Sequence, residues 1–210
     1  MLQSLRDILC DFVSLRLCVE TNSILPLNFR HRMTGQPRFR IEILNPAVHR
    51  REEFACESPE LSEFLRTRAR KEAKSRTSAC FVIVPVADPG QIAGFYTLSA
   101  TTIELEKLPA EFTRKLPRYP RLPATLLGRL ARAIELKGQG IGGLLMVDAL
   151  KRAYENSAVI GSVAVVVDPK DEKAAKFYAE FGFRALDGQK MFLPMKTIPD
   201  WLGLKQEGET

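Results

Sequence analysis

Apolar and polar residues alternate through FRIEIL at 39–44, the period of a half-buried strand. Ser58-Pro59-Glu60 reads as a helix start, with a capping hydroxyl and proline at the first helical position. Leu61, Phe64, Leu65, Ala69 and Ala73 then mark one face of a helix over 58–76. ACFVIVPV at 79–86 reads as a buried strand, DPGQ at 88–91 as a turn and IAGFYTLSA at 92–100 as the returning strand. RKLPRYPRLP at 114–123 is irregular, and ATLLGRLARAI at 124–134 is a further strand. A helix over roughly 141–156 carries Leu144, Val147, Leu150 and Tyr154 near one face. GSVAVVVD at 161–168 reads as a strand buried on both sides. DEKAAKFYAEFGF at 171–183 is a helix stopped at Gly182, and MFLPMKTI is the last strand. The elements make an α/β (α+β) chain.

Residues 1–36 do not follow this pattern. We read them as an N-terminal extension, either disordered or a product of start-site choice, with 37–200 as the folded domain and 201–210 as a tail. Arg6, Asp7, Asp11 and Arg16 interrupt any signal-peptide core, and no apolar run reaches the ~20 residues of a membrane helix. The reading is therefore cytoplasmic. Cys10, Cys18, Cys56 and Cys80 form no C-x-x-C pair, so they read as reduced thiols. With only His31 and His49, neither a metal site nor a histidine-based triad is expected.

The glycine stretch KGQGIGGLL at 137–145 carries the candidate chemistry. Gly138, Gly140 and Gly143 spell G-x-G-x-x-G, the dinucleotide fingerprint. That fold needs further β-α-β units, and too little chain follows Asp168 to build them. No Gly-Lys-Ser/Thr follows, which removes a Walker loop. In a second frame, Lys137, Gly140 and Gly142 spell basic-x-x-Gly-x-Gly. Glycines directly before a helix suit anion binding at a helix N-terminus.

LLGRLARAIELKGQGIGGLL followed by DEKAAKFYAEFGF resembles motifs A and B of the GNAT (Gcn5-related) N-acetyltransferases. CFVIV, GFYTLSA, LPRYP and LLGRLA, in this order, look like the GNAT-fold toxins of type II toxin–antitoxin modules. The resemblance covers about residues 39–198. It implies a mixed, mostly antiparallel sheet of about six or seven strands, with splayed central parallel strands flanked by helices. Lys137 stands where the superfamily usually has Arg or Gln, and Asp171 where Asn is commonest. Arg132 replaces an aliphatic residue.

The resemblance implies acetyl-CoA as cofactor, held by Leu130, Ala131, Arg132, Lys137, Gly138, Gln139, Gly140, Ile141, Gly142, Gly143, Asp171 and Phe177. It implies Tyr178 as the acid that protonates the leaving thiolate. From the helix pattern alone Tyr178 reads as a core aromatic. No general base is evident; Glu104, Glu106 and Glu135 carry no specific signal. The implied substrate is aminoacyl-tRNA, the implied partner a ribbon-helix-helix antitoxin, and a homodimer remains open. Net charge is +6. Lys107, Arg114, Lys115, Arg118 and Arg121 around Tyr119, with the basic residues of 58–76, suggest a phosphate track. Two other functions compete: acetylation of a small amine or protein N-terminus, and a non-catalytic acyl-CoA-binding module.

Overall fold

The computed structural model describes residues 38–202. The proposed extension 1–36 and most of the 201–210 tail lie outside these residues. Seven strands form one sheet, in the order β1-β2-β3-β4-β5-β7-β6. They are β1 Phe39–Ile43, β2 Ala79–Pro85, β3 Gly94–Glu104, β4 Arg121–Arg132, β5 Ala164–Val167, β6 Arg184–Asp187 and β7 Lys190–Pro194. Every neighbouring pair is antiparallel except β4 and β5. The mixed sheet expected from the sequence is present.

Alternation along the strands divides the core between two faces. On one, Val82, Val84, Phe95 and Ala131 pack with Phe64 and Leu65. These last two lie in a helical segment made of α1 Pro59–Glu63, a π-helical turn Phe64–Arg68 and α2 Ala69–Lys74. The sequence shows one helix here. The extra residue of a π turn shifts the following face, and Phe64 comes to stack on Phe95 at 6.0 Å between ring centroids. The expected Ser58 hydroxyl cap is not made. Ser58 is buried, and its carbonyl instead accepts the amides of Leu61 and Ser62.

On the other face, Ile83, Tyr96 and Leu127 pack under α4 Ile141–Ile160 and α5 Glu172–Glu180. Helix α4 runs past the expected end at 156 and stops at Gly161, whose φ of 72° suits glycine. Its buried face includes Asp148, which accepts hydrogen bonds from Tyr96 Oη (2.5 Å) and Arg152 Nε (2.7 Å). Arg152 in turn lies 4.5 Å from the Phe81 ring centroid.

Several strand boundaries differ from the sequence reading; the expected last strand MFLPMKTI ends at Pro194, and Met195–Thr197 form a 3-10 turn instead. β3 continues to Glu104 and β4 begins at Arg121 because the two pair over their full length. β4 ends at Arg132, where Ala133 and Ile134 turn away to bond Ala93 and Ala55. The final strand has a partner, β6, which its short run of polar residues concealed. A short helix α3 spans Ala110–Thr113, and α6 spans Ile198–Leu202.

Candidate active site

The site lies where β4 and β5 part. Only Thr125 and Leu126 of β4 face β5, opposite Val165 and Val166. Just beyond, the β3–β4 register shifts between Thr97 and Leu98 and leaves Gly128 without a partner in β3. Such a bulge bends its strand and increases the local twist. From there to Arg132, β4 pairs with β3 alone. Leu130, Ala131 and Arg132 therefore form an unpaired strand edge, as their assignment required. Gly94 opposite Arg132 permits the close approach: a Cβ there would lie 2.8 Å from the Ala131 carbonyl oxygen.

The glycine loop stands at the end of this edge. Gly138 (φ 80°) and Gly140 (φ 75°) are left-handed, and a Cβ on either would meet nothing within 4 Å. Backbone conformation, not crowding, requires glycine there. Gly140 is the N-cap of α4 and has no side chain to satisfy the first amides of Ile141, Gly142 and Gly143. No acidic residue occupies that first turn. A twenty-residue helix thus presents free N–H groups and its positive end to open space. Gln139 is exposed on the same loop.

Helix α5 closes the site from the side. The Asp171 carboxylate accepts the Ala174 amide at 2.7 Å and caps this helix. Its contribution to the site runs through the helix it starts. Phe177 packs against Gly142, 3.7 Å from where a Cβ would stand. Tyr178 is a core aromatic, set edge-on to Phe177 and Phe183. Burial pushes its phenol up to about 12. Its hydroxyl makes no hydrogen bond among the described residues. The residue as a whole is buried. Both readings of Tyr178 are compatible with this placement.

The sequence missed Glu57. Its carboxylate meets Arg132 Nη2 at 3.0 Å, Lys137 Nζ at 3.2 Å and Lys173 Nζ at 3.4 Å. Hydrogen bonds from Lys137, Arg132 and Lys173 hold this carboxyl down to about 2. Arg132, unusual in the motif, thereby has a partner. No spacing signal could have found a contact between residues 75 positions apart.

The basic segment 114–121 is separate from the cluster around Glu57. Arg118 and Arg121 line an open cleft of about 690 Å³ with Glu104, Glu106 and Thr113. Arg114, Lys115, Arg118 and Arg121 have no ion-pair partner among the described residues, and Tyr119 is 65% exposed. Lys107 leaves the expected track, bound to Glu104 (2.8 Å) and Asp187 (2.9 Å). In 58–76, Arg68 pairs with Glu72, and Arg66 bonds the Phe54 carbonyl. Lys107 beside Glu104 holds that carboxyl below the usual range, which makes it a weak base. His49 is buried; its Nδ1 accepts the Asn45 amide and its Nε2 donates to Glu42. Among the described residues no helix is long and apolar enough to cross a membrane, and no group of residues could hold a metal ion.

Comparison with known proteins agrees with this geometry. The chain is 30% identical over 179 residues to a probable toxin TacT of Sinorhizobium fredii, covering 81% of this chain and 98% of that one. It is 32% identical over 130 residues to a tRNA-acetylating toxin of Mycobacterium tuberculosis, covering 62% and 75%. The solved structure of AtaT complexed with acetyl-methionyl-tRNAfMet superposes with a TM-score of 0.71 at 30% identity, over 76% of this chain and 96% of that chain. An AtaT mutant toxin bound to the C-terminus of the antitoxin AtaR and acetyl-CoA gives 0.64 at 27%, over 77% and 96%. The acetyltransferase (GNAT) family matches residues 46–183. Splayed strands, glycine loop and family match lead to one assignment: the chain belongs to the GNAT family of acetyltransferases.

Proposed function

We propose that this protein acetylates the α-amino group of an aminoacyl-tRNA and so acts as a toxin that blocks translation. The observation that carries the reading is the unpaired β4 edge running into a glycine loop with free helix-end amides. One relative is named a tRNA-acetylating toxin, and another, AtaT, is complexed with acetyl-methionyl-tRNAfMet.

Acetyl-CoA supplies an acetyl group activated as a thioester. The amides of Gly138, Gln139, Gly140, Ile141, Gly142 and Gly143 suit its diphosphate, and Lys137 adds charge. The main chain of Leu130, Ala131 and Arg132 offers strand-like hydrogen bonds to the pantetheine arm, and one amide there stabilises developing charge on the thioester oxygen. Phe177 shapes the wall beside Gly142. The Tyr178 hydroxyl, without a hydrogen-bond partner among the described residues, would supply the proton for the leaving thiolate. An α-amino group has a pKa near ~8, so a neutral fraction is present without a dedicated base.

Arg114, Lys115, Arg118 and Arg121 are cations available to RNA phosphates, and exposed Tyr119 can stack on a base. An antitoxin, by the same kinship a ribbon-helix-helix protein, neutralises the enzyme. The work is done in the cytoplasm, where charged tRNA resides, by a chain that acts as monomer or homodimer.

Incubation with labelled acetyl-CoA and bulk charged tRNA tests this. Label appearing in tRNA supports the proposal. Label in small amines or protein N-termini, or binding without transfer, would replace it with one of the two competing functions.

A further inference from the structure

Glu57 sits in the segment that leads into α1, on one face of the sheet. Its three partners belong to other elements. Arg132 ends the unpaired edge of β4, Lys137 opens the glycine loop, and Lys173 lies in the first turn of α5. Helices α4 and α5 cover the opposite face. One carboxylate therefore ties both faces together beside the glycine loop. The Ile134 amide, bonded to the Ala55 carbonyl at 3.0 Å, fixes the same segment close by.

The placement of the cations is informative. Lys173 stands at a helix N-terminus, where the dipole disfavours positive charge and favours an anion. Lys137 adjoins the free amides of α4. Three cations face one carboxylate, so positive charge remains in surplus. The carboxylate is fully ionised at neutral pH.

We propose that Glu57 is an internal anion that competes with the phosphates of acetyl-CoA for Arg132, Lys137 and Lys173, and thereby sets cofactor affinity. The inference rests on the glycine loop being the diphosphate site. A phosphate seated on the α4 amides draws Lys137 toward itself and away from Glu57. Cofactor binding then loosens the segment before α1, and loss of Glu57 frees the cations in advance. The Arg132 side chain is a positioning group here: it holds Glu57, while the residue's main chain lies in the β4 edge.

The test compares the full chain with Glu57→Gln by calorimetry with acetyl-CoA, at low and high salt. Exposed ion pairs are individually weak, so Glu57→Gln should bind acetyl-CoA about 3- to 30-fold more tightly at low salt. The gain should vanish at high salt, where the competition is screened. Hydrogen exchange at 54–62 should rise on cofactor addition in the wild type and be high from the start in the variant. Unchanged or weaker binding would overturn the inference, since Glu57 would then be idle or would brace the cations for the ligand. Tightening that persists at high salt would overturn it too, because charge would not be its cause. Glu57 is partly exposed, and a melting curve establishes that the variant is folded. Loss of the glycine-loop reading is seen separately, in the Gly140 variants described below.

Discussion

At the scale of single residues, Tyr178 makes the sharpest claim. Its ring fills the core between Phe177 and Phe183, while its hydroxyl bonds to nothing described. Tyr178→Phe keeps the ring and removes only the proton donor. General acid catalysis is worth roughly 10²–10⁴-fold, so acetyl transfer should fall by about that factor in single-turnover assays. Acetyl-CoA affinity and melting temperature should stay put. Near-full activity would make Tyr178 a core aromatic alone. Gly140 offers a second test with its own control. Any side chain there is strained, because the left-handed conformation costs an L residue roughly 1–2 kcal/mol. Gly140→Asn and Gly140→Asp share shape and strain, and differ in charge. Calorimetry should show acetyl-CoA bound at least about tenfold more weakly by Asp than by Asn, through repulsion in place of attraction at a helix N-terminus. Equal affinities would mean that no diphosphate sits on this loop.

Among elements, the joint between α4 and the sheet matters most, since α4 carries the amides of the site. Its apolar face was legible in the sequence. The Tyr96–Asp148–Arg152 chain was not, because an aspartate within a helical pattern reads as a solvent position. Asp148 is 3% exposed, and its charge answers a partner on β3, 52 residues away. Burial and the neighbouring Asp148 charge push the Tyr96 phenol well above its ordinary range, so it remains a donor. Tyr96→Phe leaves the carboxylate one bond short, a loss of about 1–3 kcal/mol. Urea unfolding should show it as a lower midpoint with an unchanged slope. No shift would mean that Arg152 alone satisfies Asp148.

For the whole molecule, charge is the quantity to test. If the exposed cations meet RNA, binding of charged tRNA must weaken with salt at about 0.7 logarithmic units per single-strand phosphate neutralised. Replacing Arg114, Lys115, Arg118 and Arg121 together with glutamine should flatten that dependence and leave acetyl-CoA binding intact. An unaltered slope would move the RNA contacts elsewhere. Acid stability gives a second readout. The folded-state pKa of Glu57 is depressed to about 2, so its contribution is present above the unfolded carboxylate range near ~4.3 and lost as pH falls toward about 2. The difference in melting temperature between wild type and Glu57→Gln should be full at neutral pH and shrink across that window. A difference independent of pH would assign the effect to something other than ionisation. On the proposed toxin reading, expression of the chain alone should arrest bacterial growth, and harmless expression of an active enzyme would count against it.

The sequence by itself determined most of the elements and the glycine loop, through local periodicity and short spacings, and it pointed to the GNAT family through the resemblance of its motifs; β6 escaped it. Gly138 and Gly140 stand out by their spacing before a helix, whereas Phe177 and Tyr178 are singled out by the resemblance alone. Tertiary structure alone decided where β4 leaves β5, since the Gly128 bulge exists only in the β3–β4 register. It also decided which cations stay available. Lys107 looked available in the chain and is consumed by Glu104 and Asp187. Arg132 looked misplaced and is answered by Glu57. Charge pairing acts through space over a few ångströms, and sequence distance does not record it.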